Sequence, residues 1–462
     1  MPNSPPKMDA RTAQWLPWLV AMSFFMQMLD GTILNTALPA IARSLSENPL
    51  RMQAVVISYL LTQAIGIAAS GWLTDRWGPR TLMSAAIGLF TLGSLLCALS
   101  TSLYFMVGAR IIQGAGGALM MPVGRLVILR LYPRGDLVRV MSIIPIPGLF
   151  GNLIGPALGG FLVEYASWHW IFLINLPVGC LGVAATLALM PRFEPDKKAF
   201  DFLGFSVFAL SLVLITLAIE GFSRQQGSPA LAGLLAFGGL LTQAFYWVSL
   251  SRRPQSLFQL SIFKTAAFRS GLAANLFTRL GTGATPFLLP LLLQVVLGYS
   301  ALKAGLMIMP MALASVLAKL VARPLSNHFK YRSVLLTNTF FQGALIAALA
   351  LVPLDLNPVI FCLHLAVLGA VNSIQFSFLN TYTLMDLPYQ DSGSGNALMS
   401  VVMQLSFSLA VGLAAASLHL FQGPADSVSN PALILPAFKY TFIALGSMSV
   451  FSGLLFFLGP RK

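Results

Sequence analysis

Charge is scarce in this chain. Asp, Glu, Lys and Arg together make up 9% of its residues, against about 25% in soluble domains. Acid is the scarcer sign, with 14 Asp and Glu against 28 Lys and Arg. So little charge excludes an ordinary soluble domain, and the 57% hydrophobic content with mean hydropathy +0.80 reads as a polytopic membrane protein. Cysteine is equally sparse. Cys97, Cys180 and Cys362 lie in apolar runs at unrelated spacings, which supports neither a disulfide framework nor a metal site; all three read as small core residues. No cofactor or metal is expected. The N-terminus lacks a short apolar stretch with a small-residue cleavage site, so the first apolar run is expected to stay as an anchor. A phosphate loop is lacking too. Gly114–Gly117 has no following Lys and lies inside an apolar run, which argues against ATP as energy source and against a nucleotide enzyme.

What the chain does have is long apolar runs. Fourteen are legible, at about 13–37, 50–73, 81–100, 103–129, 138–164, 169–190, 201–220, 229–250, 268–297, 303–323, 332–353, 357–384, 394–421 and 435–458. They are continuous rather than alternating, which excludes a closed barrel. An even number of spans puts both chain ends on one side of the bilayer. Of the 28 basic residues, Arg110, Arg125, Arg279 and Lys319 fall inside the runs. Arg43, Arg51, Arg224, Lys303 and Lys439 fall in or beside connections opposite the termini, and the other nineteen share the termini's side. This bias predicts that both termini are cytoplasmic. The net charge of +14 then follows from topology, and no nucleic-acid partner is implied because no compact basic region exists.

One acid breaks the apolar pattern. Asp30 lies inside the first run, which is predicted to close near Ala37, and a charge at that depth costs on the order of 2.5–3.5 kcal/mol on insertion scales. Ser23, Gln27 and Asp30 share one helical face. A polar face holding a titratable acid predicts a water-filled pathway with Asp30 as the proton carrier. The alternative is a permanently paired acid that fixes packing. Arg110 lies about as deep in the fourth run as Asp30 does in the first, roughly 10 Å from the outer end at 1.5 Å per residue. The two are therefore a candidate pair for proton coupling. A structural role for Arg110, bonding backbone carbonyls, stands beside that reading.

The connection Gly71-Trp72-Leu73-Thr74-Asp75-Arg76-Trp77-Gly78-Pro79-Arg80 is short and sharply turned. Asp75 can accept from backbone or Arg donors, and Gly78 permits a conformation costly for other residues. Gly71, Asp75, Arg76, Gly78 and Arg80 are candidates for a conformational latch, with plain loop anchoring as the alternative. A similar pattern recurs at 325–332, joining the tenth and eleventh runs. Two six-helix halves with a two-helix insert at 201–250 explain that offset, and duplicated halves are a transporter architecture.

The 71–80 connection resembles the cytoplasmic loop signature of the major facilitator superfamily, with Thr74 and Pro79 departing from it. Three more stretches resemble family signatures in order. They are Arg110-Ile-Ile-Gln113-Gly114-Ala-Gly116-Gly117, then Gly151-Asn152-Leu-Ile-Gly155-Pro156-Ala-Leu-Gly159-Gly160, and Leu29-Asp30-Gly31-Thr32-Ile33-Leu34-Asn35-Thr36-Ala37-Leu38-Pro39. The last resembles the first helix of the fourteen-span drug:proton antiporters, as does 168–177, although Gly31 replaces a hydroxyl residue beside Asp30. The resemblance implies an all-α polytopic membrane protein with the major facilitator fold, two six-helix bundles plus two inserted helices. Its parts are expected as a cytoplasmic tail (1–12), a first bundle (13–190), linkers with the inserted pair (191–267), a second bundle (268–458) and a cytoplasmic tail (459–462).

Gly151, Gly155 and Gly159 recur every four residues and make a flat ridge for close helix approach. With Pro156 and Gly160 they are candidates for packing or a hinge. Candidate cavity residues are Gln27, Asn35, Gln113, Arg279, Asn372, Gln375 and Gln404. Phe376 and Phe407 lie near the last three in sequence and suit an adaptable apolar pocket. Helix-to-helix hydrogen bonding is the alternative for Asn372, Gln375 and Gln404. His364 reads as a packed core residue, and His169 as the cap of a helix start. The function expected is proton-coupled efflux of small hydrophobic or amphiphilic compounds by alternating access in a bacterial inner membrane. The alternative is transport of a defined organic anion, favoured by the buried arginines. A monomer is expected, with periplasmic efflux partners as an open addition.

Overall fold

The computed structural model describes residues 10–193, 199–222, 228–251, 253, 256–258, 260–353, 355, 357–388, 391–422 and 431–457. The tail residues before 10 and after 457, and Lys7, Lys197, Lys198, Arg224, Arg252, Arg461 and Lys462, lie outside them, as do the side chains of Arg11, Arg134, Arg323, Ser326 and Asn327. Fourteen helices are long and apolar enough to cross a membrane: α1 Thr12–Ser44, α2 Pro49–Trp77, α3 Pro79–Ala98, α4 Leu103–Leu131, α5 Arg139–Tyr165, α6 Trp170–Leu189, α7 Phe202–Phe222, α8 Pro229–Leu250, α9 Ala266–Val296, α10 Ala301–Ala322, α11 Tyr331–Leu351, α12 Pro358–Leu384, α13 Ser392–Phe421 and α14 Ile434–Phe456. The face where α1 begins is called near, and the opposite face far.

Helix boundaries follow local chemistry. Ser102, Ser228, Ser300 and Asn357 accept backbone N–H bonds at the starts of α4, α8, α10 and α12, as good N-caps do. Gly78, at φ 76°, turns α2 into α3, a backbone conformation that favours glycine. The first helix departs from expectation, because α1 runs through Pro39 to Ser44 rather than closing near Ala37. Pro39 removes one N–H donor but does not end the helix, because neighbours hold the far end of α1 in a shared core. α9 is broken at Gly283 and Ala284, then continues from Thr285.

α1 to α6 pack on one another, α9 to α14 do likewise, and α7 with α8 forms a hairpin whose α7 touches α2 and α13. This is two six-helix bundles with an inserted pair. The bundles meet where α5 crosses α10 and where α2 crosses α13. The far and near halves are built differently. In the far half one continuous apolar core joins both bundles, from Leu38, Ile41 and Met52 to Phe287, Leu293, Phe361 and Phe438. In the near half each bundle has its own core, one around Met83, Phe90 and Met120, the other around Leu335, Phe378 and Tyr382. A third cluster, also in the near half, ties the inserted pair to α2 and α4 of the first bundle and to α9 and α13 of the second along one side. Among the described residues, then, a broad core spans the bundle boundary in the far half, whereas in the near half the boundary is bridged along one side. Cys97 is buried, but Cys180 is exposed on α6, which corrects its reading as a core residue; α6 is peripheral and that side of it has no helix to cover it.

Candidate functional site

Asp30 and Arg110 do meet. Arg110 Nη1 donates to Asp30 Oδ2 at 2.7 Å, and both side chains are 1% exposed. Two amides complete the carboxylate's shell: Gln113 Nε2 donates to Oδ1 at 2.7 Å and Asn175 Nδ2 at 3.4 Å. Each amide also donates to Ser94 Oγ, at 2.9 Å. Every one of these contacts to Asp30 comes from a donor, the arrangement suited to a carboxylate rather than a carboxylic acid. Arg110 is held in turn by Gln113 Oε1 at 2.6 Å, by the Val55 carbonyl at 3.4 Å and by the Tyr59 ring, 4.0 Å away. The pair is thus buried and satisfied, which is the condition under which paired charges persist at such depth.

This geometry corrects two expectations. Ser23, Gln27 and Asp30 do share a face of α1, but it is buried in the first bundle and lines no open water path in this conformation. Ser23 bonds its own helix at the Leu19 carbonyl, 3.0 Å away, and Gln27 is largely buried with Oε1 unpartnered. On α1, Gly31 is exposed and Asn35 half-buried, and Asn35 Nδ2 donates to the Gly31 carbonyl. Gln113 is fully buried in the ion-pair network rather than facing a cavity.

The loop signature is anchored within the first bundle. Asp75 pairs with Arg130 at the near end of α4, 2.8 Å away, and Arg80 Nη2 donates to the Leu187 carbonyl of α6. Arg76 and Gly71 are exposed. Both partners, Arg130 and the Leu187 carbonyl, lie within the first bundle. The glycine ridge is a seam. A methyl added at Gly151 would meet the backbone of Phe25 and Leu29, at Gly155 the side chain of Thr32, and at Gly159 the Ile33 carbonyl. Gly160 lies equally close to Ala301 and Leu302, and Gly305 to Pro156, so the ridge packs α1 on one side and α10 on the other.

In the second bundle Arg279 is 5% exposed. Its guanidinium donates to Asn275 Oδ1 at 3.1 Å and Asn380 Oδ1 at 3.2 Å. The Phe376 and Phe407 rings lie 4.7 and 5.3 Å from it. No carboxylate among the described residues makes an ion pair with it. The break in α9 follows one turn later, where the Gly283 N–H returns to the Arg279 carbonyl. Asn372 and Gln375 correct the cavity reading: Asn372 accepts from Gln342 at 2.9 Å, while Gln375 accepts from Asn338 and donates to Thr339 at 2.6 Å. Both tie α12 to α11, since a buried amide takes the nearest complementary helix. Gln404 Nε2 donates across the bundle boundary to Gln63 Oε1 on α2. His364 Nε2 donates to the Leu345 carbonyl at 2.9 Å, a core contact. His169 occupies the cap position of the helix start, but its ring stacks on Trp168 and makes no side-chain capping bond.

Sequence reasoning missed Tyr59, Gln63, Ser94, Asn175, Asn275 and Asn380 as site residues. Each is a single uncharged polar residue in an apolar run, the commonest sort of exception there. Depth singles out Tyr59 and Gln63, which lie mid-span in α2, but not Ser94, Asn175 or Asn380, which lie four or five residues from the ends of α3, α6 and α12.

Comparison with known proteins agrees with this architecture. A sequence model described as Major Facilitator Superfamily matches residues 20–411. The chain is 45% identical over 447 residues to a protein of Pectobacterium atrosepticum named "Putative multidrug resistance protein MdtD", covering 96% of this chain and 95% of that one. It is 44% identical over 450 residues to the protein of the same name in Serratia proteamaculans, covering 96% and 93%. Among solved structures a D-xylose-proton symporter superposes with a TM-score of 0.70 at 14% identity, covering 96% of this chain and 97% of that one, a likeness of fold alone.

Proposed function

Because the chain belongs to the major facilitator superfamily, we propose that it exports small hydrophobic or amphiphilic compounds in exchange for protons, its two bundles rocking about a site between them. The observation that carries the reading is the sealed Asp30–Arg110 pair, an ionisable couple held at bilayer depth with both members 1% exposed. In this reading the structure is the state after proton release, with the far half closed and the carboxylate fully supplied with donors. Opening the far half delivers a proton to Asp30 and frees Arg110. The 71–80 loop then acts when the near half closes, with the Asp75–Arg130 pair exchanging partners. The names of the relatives support a drug-like substrate class, and the surplus of basic residues on the near face supports a cytoplasmic near face in a bacterial inner membrane. The proposed working unit is a monomer, and nothing in the reading requires a periplasmic partner.

Flux in reconstituted vesicles tests the coupling. Asp30→Asn is expected to remove the component of substrate flux that depends on a pH gradient, while the purified protein elutes as folded as the parent. Coupled efflux retained at the parental rate removes Asp30 from the mechanism.

A second reading has its own observation. Arg279 is a buried cation answered only by amide oxygens and ring faces, which leaves charge for an anionic substrate to neutralise. A thermal-stabilisation panel separates the two readings. Organic anions that raise the unfolding midpoint of the parent but not of Arg279→Gln favour the anion. Hydrophobic cations that stabilise both favour the drug.

A further inference from the structure

We propose that Tyr59 and Gln63 of α2 and Gln404 of α13 carry the charge state of Asp30 to the boundary between bundles, so that protonating Asp30 loosens the far seal through α2. This rests on the reading of Asp30 as the proton carrier and names the residues through which that site acts.

The contacts form an unbroken series. Asp30 on α1 holds Arg110 on α4 at 2.7 Å. Arg110 grips α2 twice, through the Val55 carbonyl and over the Tyr59 ring at 4.0 Å. One turn further along α2, Gln63 sits beside Tyr59. A methyl on Gly117 would lie 2.8 Å from Gln63 Nε2 and 3.1 Å from Tyr59 Oη, so both polar groups crowd the same point. Neither forms a hydrogen bond of good geometry there, although both side chains are almost wholly buried. Buried polar groups left so are uncommon and mark places where the arrangement can change. Gln63 Oε1 is occupied, because it accepts from Gln404 of the other bundle.

α2 is also the helix through which such a signal reaches the seal. Its far end contributes Leu50, Met52, Val55 and Ile57 to the core shared by both bundles. When Asp30 takes a proton, Arg110 loses its counter-charge but not its burial. It must then be answered from the remaining neighbours, which are Gln113, the Val55 carbonyl and the Tyr59 ring. The titratable and charged groups around Asp30 are Arg110 from α4, Tyr59 from α2 and Cys97 from α3. Only the Arg110 contact is an ion pair, so Arg110 is the group that moves. A shift of Arg110 displaces Tyr59, and Gln63 can follow only by changing its bond to Gln404. Coupling of this kind is reciprocal: a change at the bundle boundary acts back on Asp30.

Hydrogen–deuterium exchange on the full chain in lipid nanodiscs tests this without a known substrate. The reporter is the peptide covering 298–306, at the far seal, where Gly160 meets Ala301 and Leu302 and which is remote from Gln404. Asp30→Asn, which cannot ionise, is expected to raise exchange there about twofold, as a shift toward the opened state does. In a Gln63→Leu or Gln404→Leu background the same Asp30→Asn change is expected to leave exchange unaltered. Gln404→Glu, which still accepts from a turned Gln63 amide, is expected to restore the response. A purely structural role for the glutamines shifts the baseline but leaves the Asp30→Asn increment intact, and that result overturns the relay. If Asp30→Asn changes nothing in the parent, Asp30 is not the switch and the relay falls with it.

Discussion

Among the described residues two arginines are buried, one in each bundle, and they are treated in opposite ways. Arg110 is given a carboxylate at 2.7 Å, an amide and a tyrosine ring. Arg279 is given two asparagine oxygens and two phenylalanine rings. The first site is electrically closed, since its cation is spent on its own anion. The second holds a full positive charge compensated only by dipoles and ring quadrupoles. The difference teaches that burial alone does not tell what an intramembrane charge is for. A paired charge suits a switch that opens when its partner is protonated. An unpaired one suits a ligand that brings the missing charge.

The largest expected effect breaks the first site. Arg110→Met strands Asp30 without a cation, and breaking a buried pair from one side costs about 3–5 kcal/mol. The unfolding free energy in micelles should fall by that amount. Pairing it with Asp30→Leu should recover most of the loss, because the double change removes both charges, and recovery below half would refute a pair dominated by charge.

The second prediction is smaller by design. Arg279→Met removes a cation that makes no ion pair among the described residues but orphans the buried Asn275 oxygen, so stability should fall by about 1–3 kcal/mol, less than for Arg110→Met. A loss as large as that of Arg110→Met would mean Arg279 is paired in a way these contacts do not show. The third sharpens the same site further. Phe407→Leu keeps an apolar side chain but removes a ring face, and should cost about 0.5–2 kcal/mol of a cation–π interaction in a dry setting. Read by the same unfolding measurement, no change at Phe407 and a full loss at Phe376→Leu would assign the ring contact to Phe376 alone.

The two sites also differ in how well the sequence announced them. Asp30 and Arg110 could be matched because each was an exceptional residue expected at similar depth on a helix whose direction alternation fixes. Because α1 runs on to Ser44, Asp30 lies fourteen residues from its far end while Arg110 lies seven from the far end of α4, so the equal spacing from the helix ends is corrected although the pairing is formed. Arg279 was visible as an exception, but its surroundings were not. Asn275 lies one turn before it, whereas Asn380, Phe376 and Phe407 come from other helices. The amides were the hardest residues to assign. Gln113, Asn372 and Gln375 looked alike in sequence, yet one joined the ion pair and two tied α11 to α12.

The sequence by itself determined the spans, the connection lengths, the side bearing the basic residues and the chemical oddity of Asp30, because each follows from how bilayer thickness and solvation act on short windows of chain. Tertiary structure decided which way each polar side chain turned, that a broad core joins the bundles in the far half while the near half is bridged along one side, and that among the described residues one buried arginine has an anion while the other makes no ion pair. Those outcomes depend on which helices lie side by side, and residues far apart in the chain become neighbours only when the bundles assemble.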